Sequence, residues 1–157
     1  MYPHSHFLAT FFLAEIFVRL GYISHRLALI CAVIAVLIDL DHFIEYIIIY
    51  RRASLRQAWN ACVTNKLYGR TAIHRVFGVV MFALVTLIIS IFSLQWAIVI
   101  GLGYYSHLFM DLLYNLWEKR TERTIKIKMF GYIIHTRRLE ILIDLGLLVG
   151  LYLIVYM

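Results

Sequence analysis

Proline occurs once in the 157 residues and cysteine twice, and no stretch is rich in glycine, proline and serine together. Without such a linker, an internal repeat or a low-complexity tract, the chain reads as one domain spanning residues 1–157. Cys31 and Cys62 stand alone in spacing, which argues against a disulfide framework and against a cysteine-rich zinc site. Acidic residues are also few, nine against fifteen Lys and Arg, for a formal net charge of +6. That surplus does not form a nucleic-acid face, because the basic residues are not interleaved with stacking aromatics along one surface. No nucleic-acid partner is expected. The first apolar stretch lacks the basic flank and small-residue cleavage site of a signal peptide, which predicts a retained helix.

What the chain has in excess is apolar side chains, 63% of the total, where a soluble domain carries roughly half. Five stretches, at 7–22, 27–50, 76–94, 96–117 and 139–157, approach the roughly 20 residues that cross a bilayer core. The expected fold is all-α, an integral membrane bundle of five transmembrane helices. Basic residues fall between the second and third stretches (Arg51, Arg52, Arg56, Lys66, Arg70, Arg75) and between the fourth and fifth (Lys119, Arg120, Arg123, Lys126, Lys128, Arg137, Arg138). The loops 51–75 and 118–138 then share one side, and the positive-inside bias makes that side cytoplasmic, with the N-terminus inside. The expected location is the cell inner (plasma) membrane, multi-pass. Within the first loop, "SLRQAWNACV" has the pattern of a surface helix lying on the anionic leaflet.

Polar groups inside the oily stretches carry the functional signal. The second stretch contains Asp39, Asp41, His42 and Glu45, the third is preceded by His74, the fourth carries Ser106, His107 and Asp111, and the fifth opens with Glu140 and Asp144; His4 and His6 lie near the start of the first. With the orientation set by lysine and arginine alone, all of these fall in the cytoplasmic half. The opposite halves read as almost purely apolar. Each charged group at mid-membrane costs about 2.5 to 3.5 kcal/mol on insertion scales, so some interaction must offset the acidic trio of the second stretch. A divalent cation does so by neutralising carboxylates and giving neutral imidazoles a lone-pair partner.

Helical geometry supports that in part. His107 and Asp111, four apart, share a face, and Gly103 one turn earlier thins it for close approach. Asp39 and His42 also share a face, whereas Asp41 points about 160° away from Asp39 on an ideal helix and pairs with Glu45. Either the helix is disrupted at "DLDH", or Asp41 serves a second metal or supports a ligand. His4, His25 and His135 read as interfacial hydrogen-bonding groups, and Ser106 as no nucleophile, since it diverges from His107 by about 100° without an elbow motif.

The segments "SHFLAT", "LIDLDHF", "GRTAIHRVFG", "GYYSHLFMDLL" and "RRLEILIDL" together resemble, in order and over nearly the whole chain, the signatures of the YdjM-like inner-membrane proteins, a family of predicted membrane-bound metal-dependent hydrolases. The resemblance places His6 on the family's first histidine and Asp39, Asp41 and His42 on its Asp-x-Asp-His. It places Arg70 and His74 within its His-Arg-Gly-x-Thr-His signature, His107 and Asp111 on its Ser-His-x-x-x-Asp, and Glu140 on a late glutamate. The chain departs at Ile38, where the family has proline, and at Gly69, where it has the first histidine of the third signature.

The metal ligands expected are therefore His6, Asp39, Asp41, His42, His74, His107 and Asp111. A nitrogen and oxygen donor set suits zinc first, with manganese or iron as alternatives, in a mono- or dinuclear site. The expected activity is hydrolysis of an ester or phosphoester in a membrane lipid or lipid-linked substrate at the cytoplasmic face, with Asp41 or Glu45 as general base and Arg70 holding an anionic group. Two alternatives stand beside it: a degenerate member that keeps a structural metal, to which Gly69 gives weight, and a metal or proton transporter, which the one-sided distribution of polar groups disfavours.

Overall fold

The computed structural model describes residues 2–63, 72–118, 125–129, 132–136 and 138–156. The chain is predominantly helical, as expected. Among the described residues seven helices run in the order α1 (Pro3–Arg19), α2 (His25–Leu37), α3 (Leu40–Tyr50), α4 (Leu55–Val63), α5 (Val76–Phe92), α6 (Leu94–Glu118) and α7 (Arg138–Tyr156), with a 3-10 turn at Ala72–His74. The loop 118–138 contains one addition to the helical class, an antiparallel hairpin of β1 (Ile125–Met129) and β2 (Tyr132–Thr136). Two helical stretches among the described residues, His25–Tyr50 and Leu94–Leu116, are long and apolar enough to cross a membrane, and Val76–Phe92 is a shorter apolar helix.

Local chemistry explains the boundaries. The single proline occupies the first helical position of α1, where its missing N–H costs nothing. That helix stops at Gly21, whose φ of 78° supplies the left-handed turn; the Tyr22 N–H reaches the Phe17 carbonyl and the Gly21 N–H that of Val18, satisfying carbonyls that the helix leaves open. Ser24 then caps α2 by accepting from the Leu27 N–H. Ser54 does the same for α4 through Gln57. Ser93, in extended backbone, separates α5 from α6.

Side-chain contacts fix the directions. α5 runs antiparallel to α6: Tyr105 donates to the Val79 carbonyl, Phe82 stacks on Tyr104 at 3.9 Å, and Thr86 faces Gly101. α1 is antiparallel to α6 but parallel to α7, along which Ser5 meets Asp144, Phe12 meets Gly150 and Arg19 donates to the Ile154 carbonyl. α2 lies so close to α6 that a Cβ on Gly103 would sit 2.9 Å from Ile34 Cγ2. Only glycine permits this approach. The dry core between α1, α2 and α6 contains Ala14, Ala28, Cys31 and Val99, while Ile48, Leu87, Ile91, Phe92, Leu142 and Val149 point outward and are more than half exposed.

The second apolar stretch is not one continuous helix. At Ile38 and Asp39 the backbone tightens: the amides of Asp39, Asp41 and His42 bond to the carbonyls of Val36, Ile38 and Asp39, each three residues back. Three residues per turn bring Asp39 and Asp41 to about 120° apart, where an α-helix holds them about 160° apart. The disruption at "DLDH" that the sequence left open is observed. The expected surface helix is α4. It rests on α3 through Phe43, Tyr46, Ala58 and Ala61, and the Tyr46 hydroxyl donates to Gln57.

Candidate metal centre

One end of the bundle gathers the start of α1, the α2–α3 junction, the turn before α5, the second half of α6 and the start of α7. His6, Asp39, His74, His107 and Asp111 converge there from four segments. The Nε2 atoms of His74 and His107 face each other at 3.1 Å. Asp111 Oδ2 lies 3.7 Å from the first and 3.6 Å from the second, and Asp39 Oδ1 lies 3.6 Å from His107 Nε2. Ligands about 2.0 to 2.1 Å from a tetrahedral zinc stand about 3.3 Å apart, so these separations fit the edges of such a polyhedron. A proton or a cation between the facing nitrogens would satisfy the contact.

His6 completes the cluster from the other side of Asp111. Its Nε2 is 3.2 Å from Asp111 Oδ1, and its ring stacks on His107 at 4.1 Å. Both rings are wholly buried, and while His6 Nε2 pairs with Asp111, its Nδ1 makes no hydrogen bond. A buried polar group with no partner is costly, and coordination is one way to satisfy it.

Asp41 has a different place. Its Oδ2 is 2.9 Å from His74 Nδ1, so a proton on Nδ1 donates to the carboxylate and leaves the Nε2 lone pair aimed at His107. This is the arrangement by which a carboxylate orients a metal-binding imidazole from behind. Burial disfavours the charged form of His74, but the hydrogen bond and charge of Asp41, with Asp111 and Asp39 nearby, outweigh it and raise the pKa above the ordinary histidine value. His42 and Glu45 lie on the far side of Asp41: His42 Nδ1 is 3.9 Å from both Asp41 Oδ1 and Glu45 Oε2, and its ring is 5.3 Å from that of His74. Asp41, His42 and His74 form a second, looser ion-compatible set beside the groups His6–His107–Asp111 and Asp39–His74–His107.

Of the predicted site residues, all seven expected ligands and Glu45 therefore fall in this end of the bundle, and Arg70 lies outside the described residues. Glu140 does not join the cluster. It accepts from the Tyr2 amide and the Ser5 hydroxyl, and Ser5 also donates to Asp144, which pairs with the exposed His4; these contacts fasten α7 to α1. The Ser106 hydroxyl shares a proton with Thr10 at 2.6 Å, which leaves it a structural link between α6 and α1.

One buried carboxylate was missed in the sequence. Glu15, 1% exposed, lies near the opposite end of α1 and pairs with the exposed His25 at 2.9 Å. The far halves of the helices are thus not purely apolar. A glutamate nine residues after His6 in the same apolar stretch was the available signal. Comparison with protein-family models, with curated proteins and with solved structures finds no match to this chain.

Proposed function

We propose that the protein is a membrane-embedded metal-dependent hydrolase that cleaves an ester or phosphoester of a lipid or lipid-linked substrate at the cytoplasmic face of the inner membrane. The observation that carries this reading is the facing pair His74 Nε2 and His107 Nε2, ringed by Asp39 and Asp111 and oriented from behind by Asp41. The ordered resemblance to YdjM-like signatures adds to it. So do the large apolar side chains that α3, α5 and α7 turn outward, among them Ile48, Phe92 and Leu142, each more than half exposed. Alternating helix directions accommodate five crossings, with the cluster at the end nearest Arg51 and Arg52.

In this reading His74, His107, Asp39 and Asp111 hold the ion, zinc by preference, and His6 supplies a further donor. When bound, the cation would polarise the scissile group and make water a competent nucleophile near neutral pH. Asp41 keeps the His74 lone pair directed inward. The general base is Glu45, which carries a buried oxygen without a hydrogen-bond partner and has His42 beside it to take up or return the proton.

Elemental analysis of the purified chain tests the proposal. The expected result is a stoichiometric divalent metal that His107→Ala and Asp39→Ala both lose, accompanied by phosphodiesterase or esterase activity that Glu45→Gln removes while metal is retained. Full metal retention by both ligand variants would exclude the site. A second reading, cation or proton transport, is favoured by the Glu15–His25 pair at the other end of α1. Metal-dependent proton flux in proteoliposomes that is abolished by Glu15→Gln, without hydrolysis, would select it.

A further inference from the structure

An open groove of about 600 Å³ runs past the 3-10 turn into the first turns of α5, lined by His74, Arg75, Val76, Phe77 and Val79. Its volume is in the range of small-molecule and lipid sites. His74 both lines the groove and belongs to the cluster, so the two adjoin through that residue. The walls are held from behind: Tyr104 donates to the Ile73 carbonyl, fixing the residue before His74, and Tyr105 donates to that of Val79.

The chemistry of the groove is two-part. Among the described residues Arg75 is the permanently charged group lining it, and the first-turn amides of α5, uncapped by any side chain, add to the same sign of potential. Beyond Arg75 everything is apolar: Val76 is 79% and Phe77 68% exposed, and Val80, Leu84, Leu87 and Ile91 continue an outward apolar face. At 17 residues α5 is about 25 Å long, comparable to the hydrocarbon thickness of one bilayer core. A guanidinium at one end of such a track complements a molecule with an anionic head and a long apolar tail.

We propose that this groove seats an anionic phospholipid, with its phosphate on Arg75 and an acyl chain along α5, so that the head group meets the metal cluster from the side through His74. The inference rests on the hydrolase reading for its purpose, but not for its binding chemistry. Arg75 acts as a specificity-determining residue; Arg70, the anion holder expected from sequence, lies outside the described residues.

Native mass spectrometry of the full chain in detergent micelles, titrated with dioleoyl phosphatidate, dioleoyl phosphatidylcholine or inorganic phosphate, tests the seat, with metal content measured on the same samples. Phosphatidate is expected to bind in preference to phosphatidylcholine, inorganic phosphate to compete poorly, Arg75→Gln to weaken phosphatidate about tenfold and Arg75→Lys to restore most of the loss. Because Arg75 is exposed, the variants should fold, and unchanged metal content verifies this. Equal phosphatidate affinity in wild type and Arg75→Gln would overturn the proposal, as would full displacement by inorganic phosphate, which marks a free-anion site. Metal present without Arg75 dependence defeats the lipid seat alone; Arg75-dependent lipid binding in a chain that holds no metal supports the seat and defeats the hydrolase reading.

Discussion

At the residue scale the decisive relation is between two aspartates two positions apart. Asp39 faces His107 Nε2 as a candidate metal ligand, whereas Asp41 Oδ2 pairs with His74 Nδ1. The two should therefore fail differently. Asp39→Asn removes a charged donor and should abolish stoichiometric metal, while Asp41→Asn leaves the donor set intact and should weaken metal affinity by about 10 to 100-fold, measurable by competition with a chromogenic chelator. Equal losses would contradict the division of roles. Titration of His74 gives a second expectation. In metal-stripped protein its raised pKa means that its pairing with Asp41 contributes stability fully below about pH 6.5, and that this contribution is lost as pH rises through the raised folded value. Denaturant midpoints across that window should fall with pH in wild type and flatten in His74→Gln.

At the element scale, close packing of α2 on α6 sets the distance between Asp39 and His107. Gly103→Ala places a methyl 2.9 Å from Ile34 Cγ2 and 3.1 Å from the Cys31 carbonyl oxygen. It should cost about 1 to 3 kcal/mol and reduce metal occupancy although no donor is touched, which a thermal melt paired with metal analysis can check. α4 offers a reporter. Burial, followed by the charges of Asp39, Glu45 and Asp41, pushes the Cys62 thiol up to about 11, so maleimide should label it slowly at neutral pH. A cation that neutralises those carboxylates should lower the pKa and speed labelling; a rate indifferent to metal would count against their shared electrostatics. The sequence revealed the helices, α4, and the pairing of His107 with Asp111, because each depends on local periodicity. It could not show that the helix breaks or that Asp41 turns to His74, since the break lies in a few amides that bond three residues back and the contact with His74 crosses from another segment. Nor could it pair Glu15 with His25, or assign Glu140 to Ser5, because those contacts exist only once α1 meets α2 and α7.

At the scale of the whole molecule, the proposed membrane bundle draws on outward apolar faces and two helical stretches long and apolar enough to cross a membrane, with Arg51, Arg52 and Arg56 following α3 at the end that holds the cluster. The positive-inside orientation then predicts that a reporter fused to the N-terminus is cytoplasmic and one fused to the C-terminus is not; the reverse would move the cluster to the opposite face. The central claim is narrower: imidazoles and carboxylates from α1, the α2–α3 junction, the turn before α5 and α6 share one cation. X-ray absorption at the zinc edge of the metal-loaded protein tests it most directly. A first shell of four or five nitrogen and oxygen donors at about 2.0 to 2.1 Å with imidazole outer-shell scattering is the predicted result, and sulfur at about 2.3 Å, or no retained metal to measure, would contradict it.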